Sequence, residues 1–273
     1  MRQIIIVFAF ISLFFSNLLY AANDNFPVGG RQAGMGNSGV AVYDFWALSH
    51  NQAGLARQSH ATGGFYFENR YLTKEMGLGA AAFAFPAAAG VFGLSVTYFG
   101  YSQYHESKLG LAYARTFGDR LSAGVQLNYL YTFIGEGYGR TGNLAAELGV
   151  IYELLPRLQI GAHIFNPTRA KVATFNQERI PTIMRMGFAY SFSDRVLLSF
   201  ETEKDLDREA VFRVGIEYGI TETIYLRGGV GTQPTTNAFG FGMALGNLRI
   251  DLATSFHHVL GYSPQASLIY EFR

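Results

Sequence analysis

The chain has 273 residues, and its 21 basic and 20 acidic side chains leave a formal net charge of only +1. A chain this close to neutral has no basic surface for nucleic acid, and we expect no nucleic-acid partner. Charged residues make up 15% of the sequence, against about 25% in ordinary soluble domains, while aromatic residues also reach 15%. The absence of cysteine excludes disulfides and thiol chemistry.

The first 22 residues have the layout of a secretory signal peptide. Arg2 gives a positive start, Ile4 to Leu19 is an apolar run with polar interruptions, and Ala21 and Ala22 supply a small-residue cleavage site. A single membrane anchor is the alternative, but the run is short for about 30 Å of hydrocarbon. We therefore predict that residues 1–22 are removed on export.

From about Thr62 to the C-terminus, apolar residues recur with a period of two, which is typical of β-strands. Phe212, Val214, Ile216 and Tyr218, for example, alternate with small or charged residues. A soluble sandwich also alternates, but glycine weakens a strand unless another backbone must come close. The small face therefore predicts a barrel lumen pressed against a plug. The large apolar face predicts contact with lipid, where a closed barrel pairs every backbone group.

Fourteen strands can be placed in this region. They lie near 62–74, 77–85, 91–101, 105–117, 121–134, 141–155, 158–166, 179–192, 196–205, 209–220, 223–233, 237–246, 248–258 and 265–272. Connections after even-numbered strands are mostly tight, and those after odd-numbered strands are mostly longer, with the longest from Asn166 to Glu178. Short periplasmic turns opposite longer external loops are the outer-membrane pattern.

These observations predict an all-β fold. Residues 62–273 form a transmembrane antiparallel β-barrel of about 14 strands in the bacterial outer membrane, with both mature termini in the periplasm. Membrane lipid is then an expected partner.

Residues 23–61 do not alternate and are predicted to be an N-terminal plug in the lumen, because fourteen strands enclose more space than wall side chains fill. Four glycines permit tight turns: Gly29, Gly30, Gly34 and Gly36. We expect a short helix from Asp44 to Ala56. For Trp46, the only tryptophan, anchoring of the plug against the wall is favoured over lining of a ligand pocket.

The stretch GGRQAGMGNSGVAVYDFWALSHNQAGLA resembles the N-terminal hatch of the FadL-like outer-membrane barrels, including the PorV/PorQ-type proteins of Bacteroidetes. In that superfamily an AGMGNAGVA run precedes an Asn-Pro-Ala-Gly-Leu turn. The matching positions in this chain are Gly34, Gly36, Asn37, Gly39, Asn51, Ala53 and Gly54. Gln52 stands where the superfamily has proline, which implies a less rigid turn.

The resemblance implies one of two functions. FadL-type members are passive channels for hydrophobic small molecules, and PorV-type members are accessory barrels of type IX protein secretion. We favour a plugged passive channel for a small hydrophobic molecule, because the superfamily is broad. The alternative is an accessory barrel that binds secretion-system or other outer-membrane proteins, such as translocon or cargo proteins. The short external loops favour this alternative.

The predicted lumen face carries charges of both signs: Glu147, Arg185, Arg213, Glu217, Arg227, Arg249 and Asp251. They form either a polar pathway or ion pairs that hold the plug and brace the wall, and their balanced signs favour bracing. Four apolar residues share the lumen phase: Leu130, Ile151, Phe165 and Ile183. They either line a small lateral pocket or reflect strand irregularity.

No catalytic residue, metal site or cofactor is predicted. His257 and His258 are neighbours on a predicted strand and therefore face opposite sides, which is a poor arrangement for a shared metal. Gly34, Gly36 and Gly39 have the spacing of a dinucleotide fingerprint, but no strand precedes them and no βαβ unit surrounds them. We therefore expect a protein that acts without catalysis.

Overall fold

The computed structural model describes residues 25–136, 139–170 and 180–273. The predicted signal peptide and the predicted mature N-terminus at residue 23 lie outside the described residues. Within the described ranges, fourteen strands form one closed antiparallel barrel, in which each strand pairs with its chain neighbours and the first strand pairs with the last. The predicted fold class and strand number are confirmed.

The strands are β1 (Ala61–Asn69), β2 (Gly77–Ala87), β3 (Gly90–Tyr101), β4 (Tyr104–Phe117), β5 (Leu121–Ile134), β6 (Gly139–Leu155), β7 (Leu158–Phe165), β8 (Ile183–Ser193), β9 (Val196–Asp205), β10 (Val211–Gly219), β11 (Ile224–Gly231), β12 (Thr236–Leu245), β13 (Leu248–His257) and β14 (Gly261–Phe272). Every pairing is antiparallel and in continuous register, apart from irregularities near the ends of β6 and β8.

Three predicted strand bounds are wrong by four or five residues. β1 ends at Asn69 rather than residue 74, because the chain turns into short 3-10 segments and Tyr71 has a positive φ of 54°. β8 begins at Ile183 rather than residue 179. β14 begins at Gly261 rather than residue 265, because Pro264 pairs with β13 while the pairing with β1 stops at the next residue.

The two ends of the barrel differ in their connections. At the end that carries Ala61 and Arg273, the turns after even-numbered strands have two to four residues; we call this the short-turn end. At the opposite, long-loop end the connections run up to residues 166–182, of which 171–179 lie outside the described residues. The predicted alternation holds, except that the β3–β4 connection consists only of Ser102 and Gln103.

The outer surface of the barrel is apolar. Leu111, Leu127 and Phe239 project outwards and are 60%, 55% and 63% exposed. Leu226 points outwards and Arg227 points into the lumen, which is the predicted phase. A closed barrel with an apolar exterior is the form in which a β-sheet crosses hydrocarbon. No helix in the described part of the chain is long and apolar enough to cross a membrane.

Residues 25–56 fold inside the barrel as a plug, residues 57–60 connect it to β1, and β1 begins one residue earlier than predicted. The plug contains helix α1 (Gly30–Gly34) and two 3-10 segments, Phe45–Ser49 and Gln52–Leu55. The predicted single helix from Asp44 to Ala56 is therefore wrong. Asp44 and Asn51 are both extended, and each caps a separate segment by accepting an N–H two residues ahead.

Candidate functional site

The barrel wall meets the plug through glycines. A Cβ atom added at Gly64 would lie 2.5 Å from the Phe45 ring, and one at Gly124 would lie 2.5 Å from the Ala53 nitrogen. Nine wall glycines on nine strands meet plug atoms in this way: Gly64, Gly93, Gly124, Gly149, Gly161, Gly187, Gly215, Gly229 and Gly240. The small residues of the lumen face therefore make room for the plug backbone.

Asn51 joins the plug to two neighbouring strands. Its Nδ2 donates to Val40 within the plug at 2.7 Å, to the Val150 carbonyl of β6 at 3.0 Å and to the Ala162 carbonyl of β7 at 3.3 Å. Its Oδ1 accepts the N–H of Ala53. Its oxygen thus stabilises the turn and its nitrogen binds the turn to the wall. Both polar atoms of this buried amide have hydrogen-bond partners.

The other motif positions also lie in the lumen. Gly34 packs against Gly240, and Gly36 has a φ of +66° and packs against β11. Asn37 also adopts a left-handed conformation, and Gly54 packs on the side chain of Ala47.

Trp46 is 1% exposed, and its ring meets Phe45 and Tyr66 edge-on with centroids 5.0 and 6.2 Å away. This is the packing that the predicted anchoring role requires. The alternative role for Trp46 was a place in a ligand pocket. None of the three described cavities has Trp46 in its lining.

Six charged side chains form a closed ring between the plug and β10–β13. In order around the ring they are Arg31, Glu217, Arg227, Asp251, Arg249 and Asp44. The successive N···O distances are 2.6, 2.6, 2.7, 3.4, 3.4 and 3.0 Å. Arg31 and Asp44 belong to the plug, and the other four project from the wall. The signs alternate, so each charge has an opposite charge on both sides; we refer to this set as the charge ring.

The charges of the plug members persist despite burial. Burial disfavours ionisation of Asp44, but Arg249 and Arg31 outweigh it and hold the pKa of the carboxyl well below its usual range. Burial also acts against the charge of Arg31, yet the carboxylates of Glu217 and Asp44 keep its pKa above the usual range. By contrast, burial and the charge of Arg185 lower the pKa of His50 to about 3. The imidazole of His50 is therefore neutral and lies 3.0 Å from the Val28 carbonyl.

A second network lies nearer the long-loop end, on β8, β9 and β10. Arg185 contacts Glu203 at 2.6 Å, and Arg213 contacts Glu203 at 3.0 Å and Glu201 at 3.2 Å. Glu201 also accepts the consecutive plug amides of residues 39–40 at 2.9 and 2.8 Å. The wall carboxylate therefore binds the plug backbone itself, which is how Gly39 contributes to the site.

The third network surrounds Glu147, which is fully buried on β6. Five side chains contact its carboxylate: Gln52, Lys108, Gln126, Asn128 and His163. Gln52 belongs to the plug and donates at 2.8 Å. The residue that replaces the superfamily's proline thus forms a hydrogen bond to the wall. His163 was not predicted as a site residue, although its position in the lumen phase of β7 was readable.

The apolar residues of the lumen phase divide into two groups. Leu130, Phe165 and Ile183 pack together with Ala145 and Ile180 in the long-loop half of the barrel; we call these five the apolar cluster. Ile151 lies elsewhere, next to Gly54 of the plug. A cavity of about 20 Å³ lies beside Leu130 and Phe165. Residues of the N-terminal segment, β3 and β4 complete its lining.

Two larger cavities, of about 410 and 400 Å³, open at the short-turn end. The first lies between plug residues 41–43 and the ends of β6 to β9, and the second lies near the β12–β13 turn and the C-terminus. Arg31 and Glu217 of the charge ring border both cavities. The charge ring therefore lies beside both cavities at the short-turn end.

Within residues 25–136, 139–170 and 180–273, no group of three or more His, Asp or Glu side chains is arranged to hold a metal ion. The expectation that His257 and His258 face opposite sides is wrong, because β13 ends at His257. Their rings stack with centroids 5.3 Å apart and an interplanar angle of 7°. The His257 Nδ1 atom accepts the amides of Val259 and Leu260, and is thereby occupied.

The fold and the filled lumen define a plugged, membrane-spanning β-barrel. Its fold is similar to that of FadL-like outer-membrane channels. The toluene transporter TbuX of Ralstonia pickettii superposes with a TM-score of 0.69 over 90% of this chain and 98% of its own, at 15% identity. A Pseudomonas aeruginosa FadL homologue gives 0.68 over 92% and 100%, at 13% identity. The CymD monoaromatic hydrocarbon channel gives 0.67 over 92% and 99%, at 14% identity.

No protein-family profile matches the chain, and no curated protein matches it in sequence. The structural similarity to these solved barrels confirms the resemblance to FadL-like barrels at the level of the fold. The narrower resemblance to PorV/PorQ-type proteins stays a prediction from the sequence.

Proposed function

We propose that the protein is a plugged channel of the bacterial outer membrane, which passes small hydrophobic molecules without catalysis. The observation that carries the proposal is the apolar cluster, which lies in the long-loop half of the lumen. Leu130, Phe165 and Ile183 turn apolar surface inwards at the long-loop end, where a solute would enter. Two of the structures with a similar fold are a toluene transporter and a monoaromatic hydrocarbon channel, and their solutes belong to this class.

The plug must move for a solute to pass. The cavity beside the apolar cluster is only about 20 Å³, which is too small for a hydrocarbon. Beyond it the plug fills the lumen as far as the two large cavities at the short-turn end. We infer that entry is at the apolar cluster and that exit requires release of Arg31 and Asp44 from the charge ring.

In this proposal the short-turn end, with Arg273, faces the periplasm, as short turns do in outer-membrane barrels. Asn25, the first described residue, lies in the long-loop half of the lumen, where its Oδ1 accepts from Lys108 at 2.6 Å. The short turns therefore support a periplasmic C-terminus, whereas the position of Asn25 gives no support to the predicted periplasmic mature N-terminus.

Uptake of radiolabelled toluene by intact cells, whose lipopolysaccharide layer slows hydrocarbon entry, tests the proposal. Cells with the protein are expected to take up the label faster than cells with an empty vector. Ala145→Phe fills the apolar cluster and is expected to remove the gain. Leu144→Phe is the matched control, because Leu144 is adjacent but 60% exposed on the outer surface. Uptake equal to the empty vector would exclude the channel function for this solute class.

A second candidate function is favoured by how firmly the plug is bound. Three polar networks hold it, through Arg31, Gln52 and the amides of residues 39–40. A barrel whose plug stays docked acts through its surface, as an accessory barrel for secretion-system proteins would. Purification of the tagged protein from its native membrane in mild detergent tests this. A stoichiometric protein partner supports the accessory role, and recovery of the barrel alone argues against it.

A further inference from the structure

The first cavity at the short-turn end combines an apolar floor with a charged rim. Its volume of about 410 Å³ lies within the range of small-molecule sites, about 300–1,000 Å³. Ala41 and Val42 of the plug and Ala189 of β8 pack together, and Leu197 of β9 packs against them. All four residues line the cavity. A ligand's apolar part would therefore lie on a surface shared by the plug and the wall.

Every carboxylate that lines this cavity already has a partner. Three ion pairs with N···O distances of 2.6, 2.7 and 3.0 Å form the rim: Arg31 with Glu217, Arg57 with Glu153, and Arg157 with Asp194. The Arg57 guanidinium also lies 4.2 Å from the ring centre of Tyr43, which fixes its position. A cationic ligand would have to displace an arginine from one of these pairs.

Arg195 is the remaining charged group of the rim. It lies in the β8–β9 turn, is exposed, and has no carboxylate within ion-pair distance among the described residues. The four arginines and three carboxylates that line the cavity leave one positive charge in excess. An anionic group gains this charge without breaking any existing pair, whereas a neutral molecule gains only the apolar floor.

We propose that this cavity binds a small amphiphile with an anionic head, whose apolar part lies on the Ala41–Ala189 floor and whose head contacts Arg195. The site is separate from the apolar cluster, because the two lie in opposite halves of the barrel. Binding here does not depend on conduction. The inference therefore stands or falls independently of the channel function.

Calorimetric titration of the full mature protein in nanodiscs, with empty nanodiscs subtracted, tests the proposal. The probes are 4-phenylbutyrate and its neutral analogue 4-phenylbutanamide, which share the apolar part and differ in the head. The anion is expected to bind roughly two- to fivefold more tightly than the amide, as an ion pair with an exposed arginine provides. Equal affinity for the two probes would overturn the proposed anionic preference.

Variants test separately the contact of the anionic head with Arg195 and the contact of the apolar part with the cavity floor. Arg195→Gln is expected to reduce the affinity for the anion to that for the amide. Arg120→Gln is the control, because Arg120 lies in another short turn and outside the cavity lining. Ala189→Phe fills the floor and is expected to abolish binding of both probes, with Leu197→Trp as a second variant should the first not fold. Binding that survives in a folded floor variant would show that the probes bind elsewhere.

Discussion

The side-chain amide oxygen of Asn51 lies in the space that a Cβ atom of Gly149 would occupy. The Asn51 nitrogen donates to the carbonyls of Val150 and Ala162, which are register partners on β6 and β7 and lie next to Gly149. Plug and wall are thus in close contact here, and the Asn51 amide can keep this position only while position 149 has no side chain.

Gly149→Ala is therefore expected to prevent complete docking of the plug. The added methyl group must displace Asn51, which then loses its two wall hydrogen bonds. We expect single-channel recordings in planar bilayers to show open events several-fold more often than in the wild type. Gly79→Ala is the control, because a Cβ atom there meets nothing within 4 Å. Identical recordings for the two variants would contradict the fitted contact.

The charge ring gives a second prediction. Glu217→Gln removes the carboxylate that Arg31 and Arg227 share, and leaves both guanidinium groups partly uncompensated. Breaking a buried pair from one side costs about 3–5 kcal/mol, which we expect as the loss in free energy of unfolding. Urea unfolding from liposomes measures it.

Glu222→Gln is the matched control for this variant, because Glu222 is exposed in the β10–β11 turn and outside the charge ring. Its effect is expected to be within about 0.5 kcal/mol, as for other surface substitutions. If Glu217→Gln proved as mild as its control, the charge ring would not hold the plug.

The contact of the outward-facing side chains with lipid can be tested by substitutions at two depths in the bilayer. Leu127 lies at the middle of β5 and is 55% exposed, whereas Leu155 ends β6 at the short-turn end and is 58% exposed. Arginine on the lipid face costs about 2–4 kcal/mol at the bilayer midplane and about 0–1 kcal/mol near the interface. Leu127→Arg is thus expected to destabilise folding into liposomes by that larger amount, and Leu155→Arg by the smaller. Equal costs would contradict the placement of the bilayer.

Much of the fold was readable because the barrel repeats a local pattern. Alternation with a period of two reports which way each side chain faces, so it placed Leu226 outwards and Arg227 inwards without knowledge of the neighbours. The pattern predicted the wrong end for β1, because the backbone leaves the strand there at residues that do not usually mark a turn. Tyr71 and Leu72 both adopt a φ of 54°, although neither is the glycine that usually marks such a turn.

Charged residues of the candidate site were predicted from the sequence, but the ion pairs between them were not. The lumen charges Glu217, Arg227, Arg249 and Asp251 were found from their phase. Their pairing with Arg31 and Asp44 was not, because a contact between residues 31 and 217 depends on how deep the plug lies and how the strands are staggered. Neither quantity is encoded in a local pattern.

Removal of the plug, residues 26–57, gives the last prediction. The deletion takes Arg31 and Asp44 from the charge ring, but the four wall members remain and still alternate in sign. Glu217, Arg227, Asp251 and Arg249 keep their mutual contacts at 2.6, 2.7 and 3.4 Å in a lumen that water can now enter. Hydration lowers the cost of any charge left unpaired, so the barrel wall is expected to persist. The lumen loses its filling, and we expect a stable rise in ion conductance across planar bilayers rather than the intermittent openings of Gly149→Ala. A deletion variant that inserts as a heat-modifiable barrel yet conducts no better than the wild type would mean that these residues do not close the lumen.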